Sequence, residues 1–402
     1  MWLFRSGLFV LFFIGINIYT GIRVFVLIKY FFSSFKAFVF WPLYILLSFS
    51  FIWMMQIRLD WLRPLRQMAM NSLPALFYFF LGLLFLDVLR FLLQQLNLID
   101  RSKVYSAAGT VIAVFFTLIV MIFGFFHARR IHTVHYAINL SQQYEASSLR
   151  ITLVSDLHIG STIGREWIAK VVDAINKTEP DIICIAGDIF DTNIENIHDL
   201  EGAAEELRRL SAPLGVYACQ GNHDIDRLSL REAGNTLNEI AGQSFRSTDR
   251  IQAFLETANI EYLLDEVILV ADRFYLAGRR DASNRGLAAN GGRRERKTAA
   301  ELSAGLDSSM PLIFLDHQPL DFPAIEEAGA DLIFSGHTHK GQFFPGNIAT
   351  WQIFKKAGAV HYGHWQGHSA QGIVTSGTGV WGPPVRIATK SEVVVVDVIF
   401  GE

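Results

Sequence analysis

Residues 181–191 read DIICIAGDIFD. A run of branched apolar residues passes directly into a glycine and two aspartates. An apolar run of this length, bounded by polar residues, suits a strand covered on both faces. The carboxylates then stand where that strand ends. Four other stretches repeat the arrangement. RITLVS (150–155) leads to Asp156 and His158, and GVYAC (215–219) leads to Gly221, Asn222, His223 and Asp224. LIFL (312–315) leads to His317, and DLIF (331–334) leads to Gly336, His337 and His339.

The intervening stretches carry a different period. REWIAKVVDAINK places Ile168, Val171, Val172 and Ile175 at helical spacing, and LEGAAEELRRL also predicts a helix. Alternation of strand and helix argues for a layered α/β fold. Later runs at 261–270, 273–277, 372–375 and 392–399 predict hairpin or meander strands of a second, mixed sheet packed against the first. In an open α/β sheet, ligands bind beyond the carboxyl ends of the strands. The five strand ends are therefore expected to converge on one edge.

Residues 1–130 differ in kind, being dense in Phe, Leu, Ile and Trp. Four apolar stretches, at about 7–28, 37–56, 73–95 and 106–127, each approach the roughly 20 residues needed to cross a bilayer. The expected organisation is a four-helix transmembrane region over 1–130, a linker over 131–149, and an α/β domain over 150–402. The first stretch has no clear small-residue cleavage site and is read as a retained helix. Asp87 and Arg90, inside the third stretch, are expected to pair along the helix.

An even number of crossings puts both termini on one side. That side would carry Arg5, Arg58, Arg63, Arg66, Arg129 and Arg130, against Arg23, Lys29, Lys36, Arg101 and Lys103 on the other. Six against five favours a multi-pass integral membrane protein with a cytoplasmic soluble domain. Cys184 and Cys219 both fall in predicted buried strands and are read as free core thiols. A net charge of only -3 gives no general pull toward nucleic acid.

The polar residues at the strand ends suit metal ions. Imidazole with carboxylate favours divalent first-row metals such as Mn, Fe, Zn or Co. One catalytic ion needs only three or four protein ligands. Seven good ligands imply a pair, and a pair is the usual device for in-line displacement at phosphorus. D-x-H and G-N-H-D alone are weak and G-H-T-H alone is moderately specific; five motifs in order, each after a strand, are highly specific together.

The series D-x-H, G-D-x-x-D, G-N-H-D, H-x-P and G-H-T-H resembles the calcineurin-like metallophosphoesterase superfamily, over about residues 150–399. Within it the chain looks most like the membrane-associated phosphodiesterase branch and its vertebrate transmembrane relatives. The tail SGTGVWGPPVR (376–386) is similar to that branch as well. The resemblance implies that Asp156, His158 and His339 hold one metal, that Asn222, His317 and His337 hold the other, and that Asp188 bridges them. His223 would contact the phosphate or protonate the leaving oxygen, with Asp224 orienting its ring. Asp191 would fix a ligand histidine. Lys340 stands where that branch often has glycine.

These readings predict a membrane-anchored two-metal phosphoesterase. It would hydrolyse a phosphodiester, phosphomonoester or pyrophosphate through a metal-bridging hydroxide, with a lipid-linked substrate suggested by the anchor. Its partners would be the bilayer and a phosphorylated substrate, without specific nucleic-acid binding. A nuclease or cyclic-nucleotide phosphodiesterase is the alternative, and a scaffold or transporter with a vestigial domain is a third. The basic stretch 279–297 predicts a surface loop, with Arg279, Arg280 and Lys340 as candidate substrate contacts. His361, His364 and His368 are read as part of a loop lining the cleft, in preference to a third metal site.

Overall fold

The computed structural model describes residues 2–56, 62–100, 103–140, 148–160, 162–191, 194, 197, 199–224, 250–282, 296–356, 358 and 360–401. The chain divides into two compact units, one formed essentially by residues 1–126 and the other by 127–402 without 382–385.

The first unit is helical: α1 (Trp2–Phe31), α2 (Ala37–Ser48), α3 (Ser50–Gln56), α4 (Arg63–Met70), α5 (Ser72–Gln95) and α6 (Lys103–Ala128). Three segments are long and apolar enough to cross a membrane: Val10–Phe31, Pro64–Gln95 and Tyr105–Ala128. The expected single span over 37–56 is instead two helices, of 12 and 7 residues, broken at Phe49. Pro42 inside α2 removes one helical hydrogen bond, and neither piece alone is long enough to cross.

The Asp87–Arg90 pairing along α5 is also corrected. Asp87 Oδ1 lies 2.9 Å from Arg23 Nη1, and Asp87 Oδ2 accepts from Tyr19 Oη at 2.5 Å. Arg23 also donates to the Ser106 carbonyl at 3.0 Å, so one polar cluster ties α1, α5 and α6 together. In an apolar medium a carboxylate and a guanidinium stay charged only when they find each other.

The second unit holds two six-stranded sheets. The first runs β1-β12-β2-β3-β4-β5, with β1 (Ile131–Leu140), β2 (Ser148–Val154), β3 (Ile182–Ile185), β4 (Val216–Cys219), β5 (Glu261–Leu263) and β12 (Ser391–Phe400). The second runs β10-β11-β9-β8-β7-β6, with β6 (Glu266–Val270), β7 (Phe274–Gly278), β8 (Leu312–Leu315), β9 (Leu332–Ser335), β10 (Gly363–Gln366) and β11 (Gln371–Val374). β2 to β5 are parallel, as are β7, β8, β9 and β11.

The sheets pack face to face. Ile151, Leu153 and Val394 from the first meet Leu276, Leu315 and Phe334 from the second in one buried cluster. Helices cover the outer faces. α7 (Arg165–Asn176) buries Ile168, Val171, Val172 and Ile175 against the first sheet, together with α8 (Leu200–Leu207) and α9 (250–257). Each such side chain contributes roughly 1.5–3 kcal/mol by leaving water. The short α10 (Ala299–Ser303) and α11 (Phe322–Glu327) cover the second sheet.

Three assignments change. Residues 131–140, expected to belong to a linker, form edge strand β1, paired with β12 from Ile131↔Ser391 to Leu140↔Phe400. The run 261–270 is two strands in different sheets, separated at Asp265. The 392–399 run joins the first sheet, whereas LIFL and DLIF belong to the second. Cys184 and Cys219 are buried free thiols.

Candidate metal centre

Five strand ends do converge, but they come from two sheets: β2, β3 and β4 from one, β8 and β9 from the other. Main-chain bonds stitch neighbouring ends together. Asp156 N–H donates to the Gly187 carbonyl at 2.9 Å, His158 N–H to Asp188 O at 3.1 Å, and Gly336 N–H to His317 O at 3.0 Å.

The turns are tight. Asp156, His158, Asp188, His337 and His339 all have φ between 46° and 70°, a region that costs a side-chain-bearing residue energy. Two glycines give the carboxylates room. A Cβ on Gly221 would lie 2.2 Å from Asp188 Oδ1, and one on Gly336 would lie 2.4 Å from Asp156 Oδ2.

Two groups of ligand-type atoms result, each within 4.8 Å: Asp156, His158 and His339, and Asp188, His317 and His337. In the first, His158 Nε2 lies 2.9 Å from His339 Nε2, and the latter lies 3.4 Å from Asp156 Oδ1. In the second, His317 Nε2 lies 3.1 Å from Asp188 Oδ2 and 3.2 Å from Asn222 Oδ1. Asp188 Oδ2 is also 3.8 Å from His158 Nε2, so one carboxylate oxygen faces both groups. His317 Nδ1–H donates to the Ala186 carbonyl at 2.7 Å, which directs Nε2 at Asp188 and Asn222.

Burial sets the charge states. It pushes His158 down to about 3 and His337 to about 4, and drives His339 well below the usual imidazole value. These rings are neutral at pH 7. Burial raises Asp156 to about 6, against the opposing pull of His317. For Asp188 burial acts upward too, but the charge and hydrogen bond of His317 outweigh it and hold the carboxylate below its ordinary range. His317 is correspondingly held above its ordinary value, Asp188 overcoming the effect of burial.

This donor set fits divalent cations. Two neutral imidazoles meet Nε2 to Nε2 beside a carboxylate, an arrangement that repels itself unless a proton or cation lies between. His158 Nδ1 has no hydrogen-bond partner among the described residues; Asp191 Oδ1 is 3.6 Å away. A third group, His158, Asp191 and His223, shares that histidine.

Several sequence expectations need revision. Asp224 does not orient His223. Its carboxylate accepts from the main-chain N–H groups of Ile189, Phe190 and Gly221 at 2.8–3.0 Å, and burial raises it to about 7. His223 Nδ1 instead faces the Asp191 main-chain carbonyl at 3.2 Å. Asp191, at 3.6 Å, is too far from His158 for a hydrogen bond. Arg279 is buried against Asp316 at 2.8 Å and Asp321 at 3.2 Å, and Arg280 lies 3.4 Å from Asp265, so neither is free for substrate. Lys340 stacks over the Tyr362 ring at 3.9 Å. Residues 283–295 of the basic stretch lie outside the described residues. His364 bonds Gln371 on the exposed edge, and among the described residues 361, 364 and 368 form no metal-type group.

Sequence reading missed Arg386. This fully buried guanidinium donates to the carbonyls of Ser376, Gly377 and Gly379 and lies 3.3 Å from His339 Nδ1. A cation inside the quoted tail motif was the available signal.

Residues 149–341 match the family model described as calcineurin-like phosphoesterase. An uncharacterized metallophosphoesterase of Helicobacter pylori J99 is 30% identical over 251 residues, which are 61% of this chain and 58% of that protein. A transmembrane protein with metallophosphoesterase domain from Danio rerio is 27% identical over 338 residues, 81% of this chain and 72% of that one. UDP-2,3-diacylglucosamine pyrophosphatase LpxG of Chlamydia muridarum is 24% identical over 224 residues, 48% of this chain and 64% of that one.

Proposed function

The chain carries a calcineurin-like metallophosphoesterase domain, and from that premise we propose that it hydrolyses a phosphoric ester or anhydride with two divalent cations. Asp156, His158 and His339 would hold one, Asn222, His317 and His337 the other, and Asp188 would serve both. The observation that carries this reading is the placement of Asp188 Oδ2, 3.1 Å from one histidine group and 3.8 Å from the other.

Two such cations, when bound, supply positive charge for phosphoryl oxygens and acidify water. The chain's own groups do the rest. Asp188 stays ionised, because its environment holds it low. The neutral imidazoles offer lone pairs without a prior proton loss. His223 is fixed twice, its N–H bonded to Asp188 Oδ1 at 2.8 Å and its ring Nδ1 to the Asp191 carbonyl. That leaves Nε2 to hand a proton to the leaving oxygen. Turnover of bis(p-nitrophenyl) phosphate with Mn²⁺, abolished by chelator, is the expected result; turnover that survives metal removal would contradict it.

The first unit would cross the bilayer four times. Phe12 contacts Phe80 and Arg23 meets Asp87, so α1 and α5 run parallel. Parallel neighbours require a return crossing. α2 and α3 together supply it, running from Phe40 beside Phe25 to Phe51 beside Phe13. Arg23 and Lys29 lie within the span Val10–Phe31 and Arg66 within Pro64–Gln95, which leaves five charges against three outside the spans and favours a cytoplasmic domain. A reporter fused after residue 402 should be active in the cytoplasm only.

The substrate is proposed to be a lipid-linked phosphate compound. The relative named as a UDP-2,3-diacylglucosamine pyrophosphatase supports it. So does chain order: the domain follows directly on Tyr105–Ala128, a segment long and apolar enough to cross a membrane. Faster hydrolysis of a lipid pyrophosphate than of nucleotide substrates is expected.

A further inference from the structure

A second concave site lies in the domain, between edge strand β1 and the second half of α7. Its volume is about 690 Å³, within the range of small-molecule sites. Its lining is strongly basic: Arg129, Arg130, Arg150, Lys170 and Lys177, with Asp173 the one acid. Asp173 is already engaged by Arg209, and Arg150 by Asp397 at 2.8 Å. Arg130, Lys170 and Lys177 are exposed and form no ion pair with described residues. None of these groups belongs to the metal centre.

Chain order decides what such a groove would meet. Arg129 and Arg130 follow directly on α6, whose segment Tyr105–Ala128 is long and apolar enough to cross a membrane. Cationic side chains one and two residues past a membrane helix stand at the height of the phosphate headgroups. Lys170 lies on α7 and Lys177 is its C-cap, seven residues on; both line the groove and would close on the same phosphate from the opposite wall.

We infer that this groove is a binding site for the headgroup of an anionic phospholipid. The inference rests on α6 being a membrane helix, and not on the hydrolytic reading. Docked there, a lipid phosphate would anchor the domain at the bilayer surface.

The test uses the full chain in detergent and short-chain phosphatidylglycerol and phosphatidylcholine, with bound lipid counted by native mass spectrometry. Phosphatidylglycerol is expected to bind selectively, and the Lys170→Gln/Lys177→Gln variant to bind it about tenfold more weakly or worse. Soluble diester hydrolysis should be unchanged in that variant. Lys355→Gln/Lys356→Gln, which removes two lysines on α12 (Gly346–Lys356), should bind lipid like the wild type. Matched thermal unfolding confirms that the variants are folded; if the double variant is not, Arg130→Gln replaces it. Equal binding of the two lipids, unchanged binding in a folded groove variant, or equally tight binding of inorganic phosphate would overturn the inference. Lipid binding without diester turnover would remove the hydrolytic reading and leave this one standing.

Discussion

The main-chain N–H of His223 donates to Asp188 Oδ1 at 2.8 Å. The carboxylate that faces both histidine groups therefore also fixes the turn that carries His223. The two residues have separable roles on this account. His223→Ala should retain the metals and lower kcat by about 10²-fold or more. Metal analysis beside steady-state kinetics checks this. Loss of metal with His223 would assign it a ligand role.

Asp224 is predicted to matter for folding. Removing its carboxylate leaves three buried main-chain donors unpaired, at about 1–3 kcal/mol each. Asp224→Ala should lower Tm by many degrees, and Asp224→Asn, which keeps one acceptor oxygen of the two in use, by less. A variant of wild-type Tm but reduced kcat would restore a role in orienting His223.

Gly336 should tolerate no side chain. An added Cβ would lie 2.1 Å from Ser155 Oγ and 2.4 Å from Asp156 Oδ2, so Asp156 must move. Gly336→Ala is expected to weaken metal binding by at least tenfold while the far-UV circular dichroism spectrum stays native. Wild-type Mn²⁺ affinity in that variant would count against the placement of Asp156.

Metal uptake should depend on pH with a definite sign. Asp156, raised to about 6 by burial, carries a proton below that pH, and His317, raised by Asp188, carries one at neutrality. Both protons must leave before a cation binds; His158 and His337, already neutral, contribute none above about pH 5. Affinity for Mn²⁺ therefore rises with pH, most steeply below about 6, where Asp156 and His317 each have a proton to lose. Calorimetry in buffers of different ionisation enthalpy counts the protons. Affinity that does not change between pH 5 and 7 would refute the charge assignment.

Much of this architecture is legible in the sequence, and the exceptions have physical causes. LIFL is a strand at its expected bounds, and α7 buries the four residues its period selects, because apolar period reports burial directly. Period does not report which sheet a strand joins, so LIFL and DLIF could not be assigned to the second sheet. β1 was readable: IHTVHYAINL alternates, and its burial alternates with it, but the stretch follows an apolar helix without a turn signal. The ligand-type residues were visible as polar interruptions after apolar runs. The roles of Asp224 and Arg279 were not, because a carboxylate that binds main chain and an arginine buried by two aspartates look in sequence like any active-site charge.

The most direct test of the two-cation reading is the metal content of the purified chain, wild type against Asp188→Asn, by inductively coupled plasma mass spectrometry after Mn²⁺ loading. The account predicts about two ions per wild-type chain, as expected when one carboxylate serves a pair, and a loss of at least one in the variant together with turnover. One ion or none in a folded wild type, or two ions retained by an active Asp188→Asn chain, would contradict it.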